Sequence, residues 1–115
     1  MSDNNACCYN MFDIVKDDCW TCFWNNKDYI RNRIADKDSG GNTILHLAII
    51  YDRQYLFGEI LDLYPGTLIR GIKRFDERIN VRNSDGDTPL DLAYNYKREK
   101  MWSIIAFGGG KRSKS

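Results

Sequence analysis

The sequence predicts an all-α fold, a helical solenoid of about three helix pairs joined by hairpin-like turns. Three observations carry that expectation. Two stretches of the chain repeat one another without gaps, an apolar stripe at helical spacing follows each of them, and the composition suits a single packed domain. The 115 residues are 43% hydrophobic and 13% aromatic, enough for a core and unlike a disordered chain.

The first repeated stretch is Asp38-Ser39-Gly40-Gly41-Asn42-Thr43-Ile44-Leu45-His46-Leu47-Ala48, and the second is Asn83-Ser84-Asp85-Gly86-Asp87-Thr88-Pro89-Leu90-Asp91-Leu92-Ala93. Each places Gly two residues before Thr, then Leu at +2 and +4 and Ala at +5. Gly supplies a turn with φ > 0. Thr is a favoured N-cap, its hydroxyl satisfying a free backbone N–H of the helix that follows. Pro89 stands at the first helical position, where a missing N–H does no harm. Leu45, Ala48, Leu90 and Ala93 mark the face buried between units, the small Ala allowing a neighbouring helix to approach.

A second helix is expected after each first one. Leu56, Phe57, Ile60 and Leu61 recur at helical period, and Met101, Trp102, Ile104 and Ile105 cluster on one side. The unit therefore reads turn, short helix, short helix. Gly-x-Thr-Pro-Leu-His-x-Ala is the signature of the ankyrin-repeat family, which this pattern resembles. The stretch Gly86–Ala93 departs from it by Asp91 in place of His, and Gly41–Ala48 by Ile44 in place of Pro. Ile79-Asn80 fits the hydrophobic-Asn step before an ankyrin turn. The resemblance implies buried packing for His46, with a hydrogen bond near the Thr cap.

Thr43 and Thr88 lie 45 residues apart, whereas an ankyrin unit runs about 33. The surplus fits an inserted loop at 65–78, either a surface loop or a partner-contacting one. The organisation expected is thus a degenerate capping unit at 1–37, a repeat at 38–64, the loop, a repeat at 79–107, and a flexible basic tail at 108–115. Two repeats bury their apolar faces only against neighbours. Phe12, Ile14, Val15, Trp20, Phe23, Trp24, Tyr29, Ile30 and Ile34 give the capping unit the apolar surface it needs.

Composition and motifs argue against other chemistries. Lys and Arg number 17 against 16 Asp and Glu, and the tail holds Lys111, Arg112 and Lys114, so the body is slightly acidic and lacks the cation surplus of a nucleic-acid face. The longest apolar stretch in the body, Leu47–Tyr51, is far below the roughly 20 residues a membrane helix requires, and no targeting segment is evident. With His46 the sole histidine, no catalytic His pair or multi-His metal site is expected. Cys7, Cys8, Cys19 and Cys22 all lie near the start, so reduced, intracellular packing residues are expected. A four-thiolate zinc site or a redox Cys-x-x-Cys pair at Cys19 and Cys22 is the alternative. Gly108-Gly109-Gly110-Lys111 fails the phosphate-loop pattern, because Ile105 and Arg112 occupy its other required places.

The expectation is a non-enzymatic, cofactor-free module, cytoplasmic or nuclear, that binds another protein and neither nucleic acid, membrane nor small-molecule substrate. The resemblance implies binding through hairpin tips and a concave face of inner helices. By register, Ile50 and Asn95 point outward, with Tyr51 and Tyr94 beside them; Leu68, Ile69, Arg70 and Phe75 supply apolar and cationic contacts from the loop. Tyr51 and Tyr94 packing between helices is the competing reading. In type, the chain resembles small inhibitor-of-NF-κB-like ankyrin proteins, viral ones included. That implies a regulatory role, in a host–virus setting for the viral case; an adaptor for a ubiquitin ligase or kinase, or a zinc-stabilised N-terminal module, is the alternative.

Overall fold

A computed structural model of the chain describes residues 10–113. In chain order these residues form α1 (Met11–Lys16), α2 (Trp20–Asn25), α3 (Lys27–Asn32), α4 (Ile44–Ile50), α5 (Gln54–Leu63), β1 (Gly66–Ile69), β2 (Ile72–Phe75), a 3-10 turn (Glu77–Asn80), α6 (Pro89–Asn95) and α7 (Glu99–Phe107).

Local chemistry starts the first helix of each unit. Thr43 and Thr88 each accept the backbone N–H of the third helical residue, His46 and Asp91, whose side chains reach back to the Thr N–H. Two free donors are thereby satisfied at each helix start. Ahead of each cap, one side-chain oxygen folds the tip. Asp38 Oδ1 accepts from the N–H of Gly40 and Asn42, and Asn83 Oδ1 from those of Asp85 and Asp87. The first helices of all three units end alike, in a left-handed residue at Asp18, Asp52 or Lys97 (φ 56°, 56°, 57°).

The helix pairs α1–α2, α4–α5 and α6–α7 stack in sequence, with α4 packed against α1 on one side and α6 on the other. Leu45, Ala48, Leu90 and Ala93 are buried in that stack, as the repeat pattern anticipates, together with Leu56, Phe57, Ile60, Leu61, Met101 and Ile105. Ile14, Val15, Phe23, Ile30 and Ile34 close the core at the N-terminal end. The N-terminal unit is capped by Asn10, which accepts from the Asp13 N–H at 3.0 Å. Asn10 lies 33 residues before Thr43, so an uninterrupted unit length separates these two caps.

The architecture is mixed α/β and not the all-α solenoid expected from sequence: among the described residues, seven helices accompany a two-stranded antiparallel sheet. Strands β1 and β2 pair from Gly66 opposite Phe75 to Ile69 opposite Ile72. The physical reason is the two-residue turn Arg70-Gly71, both at positive φ (54° and 80°), whose twist suits a tight hairpin. Thr67, Ile69 and Ile72 beside it are β-branched and favour extended backbone.

The described part of the C-terminal segment makes hydrogen bonds to the helices before it. Residues 108–113 are seated on the last unit. Gly110 N–H donates to the Ile105 carbonyl at 2.8 Å, Lys111 N–H to Asn80 Oδ1 at 2.7 Å, and Thr88 Oγ1 to the Lys111 carbonyl at 2.7 Å. Among the described residues, no helix is long and apolar enough to cross a membrane.

Candidate functional site

The residues singled out by sequence are distributed over two ends of the helix pairs. At the C-terminal ends of the first helices, Tyr51 closes α4 and Tyr96 closes α6, the two standing 45 residues apart at equivalent positions and each 43% exposed. Ile50 is half-buried and packed against the core, whereas Asn95 is exposed. Tyr94 is 40% exposed and meets Trp102 edge-on, ring centroids 4.9 Å apart. Tyr94 thus packs between α6 and α7 while remaining partly exposed.

This end is held by a device that the sequence reading missed. Arg53 donates to the Val15 carbonyl at 3.2 Å and to the Lys16 carbonyl. Arg98 donates to those of Ile49 and Ile50 at 3.0 and 3.2 Å. Each guanidinium thereby satisfies the last carbonyls of the preceding unit's first helix, which lack partners within that helix. Each also lies near its own tyrosine, Arg53 at 5.7 Å from the Tyr51 ring and Arg98 at 5.6 Å from Tyr96. The signal was legible: Tyr51-Asp52-Arg53 and Tyr96-Lys97-Arg98 share the 45-residue offset.

The hairpin lies at the other end. Helices α4 and α5 pack side by side through a short turn, so the end of α5 returns to the start of α4. The seven residues of α4 separate the two ends by about 10 Å at 1.5 Å per residue. Lys73 Nζ donates to the Leu61 and Asp62 carbonyls at 3.1 and 3.3 Å, fastening the hairpin to the end of α5. Phe75 is half-buried, its ring edge-on to Tyr64 and its N–H bonded to the Gly108 carbonyl at 2.9 Å. Gly108 itself passes so close to the Phe75 ring that a Cβ there would collide with it. Phe75 therefore anchors the hairpin, while Leu68, Ile69 and Arg70 project from it. Leu68 is 73% exposed, Ile69 54% and Ile72 48%. Ile69 and Ile72 form a cross-strand pair on one face of the ribbon and Leu68 stands on the other, so the tip is apolar on both faces and uncovered among the described residues.

A further exposed cluster went unread in the sequence, where Trp20 and Trp24 served only as core candidates and Tyr55 was not singled out. Trp20 stacks on Tyr55 at 4.3 Å, and Trp24 Nε1 donates to the Tyr55 hydroxyl at 3.3 Å. Lys27 lies 4.1 Å above the Trp24 ring. This cluster lies along α2 and α5, each aromatic keeping a wet face.

His46 is buried and structural. Its Nδ1 accepts the Thr43 N–H at 3.0 Å, so the proton belongs on Nε2, which donates to the Asp87 carbonyl of the next unit at 2.9 Å. Burial holds its pKa below the ordinary 6.5, opposed in part by the Asp87 carbonyl. Asp91 occupies the equivalent place in the next unit. Burial raises its pKa, but hydrogen bonds from Ser113 and Thr88 outweigh that and hold it at about 2.

Among the described residues, no group of three or more His, Cys, Asp or Glu is gathered to hold a metal. Cys22 is buried. Cys7 and Cys8 lie outside the described residues.

No family model matches the chain, and no solved structure matches it. Among curated proteins, the chain is similar to the nuclear factor NF-kappa-B p105 subunit of Rattus norvegicus, at 35% identity over 71 residues, 62% of this chain. The chain spans about 7% of that protein's length.

Proposed function

We propose that this protein is a regulatory protein-interaction module built of ankyrin-type units, and that it acts on NF-κB-type signalling by binding a partner protein. The repeated turn, cap and helix pair, with buried His46 bridging two units, supports the ankyrin-type reading. The likeness to the p105 subunit supports the regulatory one. The observation that carries the binding role is the exposed aliphatic tip of the hairpin, Leu68, Ile69 and Ile72. A patch of this kind on a small domain marks a docking surface, and apolar anchors contribute most of the energy at such surfaces. Arg70 at the turn adds a cation suited to an acidic rim on the partner. Tyr51 and Tyr96 form a second contact edge at the opposite end.

The reading is tested in cells carrying an NF-κB transcriptional reporter. Expression of the chain is expected to lower the induced signal, and the double variant Leu68→Asp/Ile72→Asp at equal abundance is expected to leave it unchanged. Equal repression by both chains would contradict the hairpin's role, and no effect of either would contradict the pathway.

A further inference from the structure

His46 and Asp91 occupy the same position in successive units, yet they meet different partners. His46 donates to a backbone carbonyl of the following unit, at Asp87. Asp91 faces the end of the stack, where the chain's own C-terminal segment takes that place. The carboxylate accepts the Ser113 N–H at 3.1 and 3.2 Å on its two oxygens and the Ser113 hydroxyl at 2.6 Å. Arg112 adds an ion pair to Asp91 at 3.4 Å and lies 4.2 Å over the Tyr94 ring. Substituting an acceptor for a donor at this position thus makes the last unit a seat for a strap that carries donors.

The strap's hold turns on one hydroxyl. Ser113 Oγ–H points at a carboxylate whose side chain is only 4% exposed, so Ser113 can be modified only when the strap opens by local unfolding. Its sequence neighbours Lys111, Arg112 and Lys114 give the opened segment the charge that an acidic substrate groove selects.

We propose that Ser113 is a phosphorylation site for a protein kinase selective for basic segments, and that a phosphate there expels the 108–113 strap from Asp91. In the transfer, Ser113 Oγ forms a bond to the γ-phosphorus of ATP, the bond from that phosphorus to the β–γ bridging oxygen breaks, ADP leaves, and the hydroxyl proton passes to the kinase's base. The product has lost the donor that Asp91 accepts. It carries a charge of roughly −1.5 to −2 against an ionised carboxylate, an arrangement that repels. Among the described residues Arg112 is the cation paired with Asp91, and one charge does not balance both anions. Once the strap leaves, the Tyr94 face and the rim of α6 that it covers become open to a partner.

The test uses the full chain treated with such a kinase and Mg-ATP, with the modified residue located by tandem mass spectrometry and amide exchange followed by NMR. The expected result is phosphate on Ser113, with exchange at the Lys111 and Ser113 amides at least tenfold faster than in the untreated chain and core amides such as Leu45 unchanged. Asp91→Asn removes the opposing charge, and in that variant phosphorylation is expected to speed strap exchange less than threefold. Phosphate absent from Ser113, strap amides equally protected after modification, or the same acceleration in Asp91→Asn would each overturn the proposal.

Discussion

The Nε2–H of His46 donates to the backbone carbonyl oxygen of Asp87 at 2.9 Å, joining two units through one imidazole whose other nitrogen caps its own helix. Both roles require the neutral ring, because protonated Nδ1 would face the Thr43 N–H as a second donor. Replacing His46 by Ala leaves the buried Thr43 N–H without its acceptor, at about 1–3 kcal/mol, takes from the Asp87 carbonyl one of its two donors (the Asn83 N–H remains), and empties the buried space of the ring. Urea unfolding is expected to show a loss of about 2–4 kcal/mol; a loss below about 1 kcal/mol would mean that the bridge contributes little.

The same geometry sets a pH dependence. His46 has a folded-state pKa below its ordinary 6.5, so the unfolded chain binds the proton more readily. Its contribution is fully present above 6.5 and is lost as pH falls toward the folded value. Asp91, held at about 2, contributes above its unfolded value of about 3.9 and loses that contribution as pH falls through about 2. Thermal melts are expected to show one decline below pH 6.5 that is missing in His46→Gln, and a second below pH 4 that is diminished in Asp91→Asn. A flat profile from pH 7 to 3 would contradict both assignments.

Arg98 carries two hydrogen bonds to the Ile49 and Ile50 carbonyls and is tied by charge to Asp52 at 3.8 Å. The ion pair is partly exposed and contributes little; the carbonyl bonds hold the last unit to the one before. Arg98→Lys keeps the charge but loses the forked geometry, so it is expected to recover less than half of the roughly 1–3 kcal/mol lost in Arg98→Ala. Full recovery by Lys, measured by chemical denaturation, would show that charge alone matters.

Gly41 joins the tips of the two repeats. Its φ is 77°, and a Cβ there would fall 2.5 Å from Ser84 Oγ and 2.6 Å from the Ser84 nitrogen. Gly41→Ala therefore meets both backbone strain and a collision with the next unit, and a loss of at least about 1–2 kcal/mol is expected. Gly86 shares the conformation, at φ 81°, but meets nothing within 4 Å. Gly86→Ala is thus expected to lose only the strain part; equal losses in the two variants would remove the role assigned to the inter-unit contact.

The two repeats were legible because their chemistry is local. A threonine cap, a glycine turn and helical spacing are written in adjacent residues, and the structure places the caps, the turns and the buried Leu56, Phe57, Ile60, Leu61, Met101 and Ile105 accordingly, while Ile104 is exposed. The N-terminal unit was harder to read, since Asn10 and Asp13 stand where Thr and His stand in the second unit and only Asn10's side chain joins in the cap. The hairpin was missed because its signal is the pair Arg70-Gly71 set among β-branched residues, inside a segment treated only as a surplus. The seat of 108–113 depends on Asp91, Thr88 and Asn80 meeting the tail in three dimensions, which no local pattern reveals. Of the proposed contact residues, Leu68, Ile69, Arg70, Tyr51 and Asn95 are exposed. Phe75 anchors the hairpin from beneath, and Ile50 leans on the core.

Under the proposed function, the exposed hairpin tip binds a protein of the NF-κB system. The direct measurement is a calorimetric titration of the chain into purified NF-κB dimer, set beside Leu68→Asp/Ile72→Asp with its helical circular dichroism confirmed unchanged. Saturable binding that weakens at least tenfold in the double variant, a change of about 1.4 kcal/mol or more, is the expected result. Absence of binding, or equal affinity for both chains, would contradict the account.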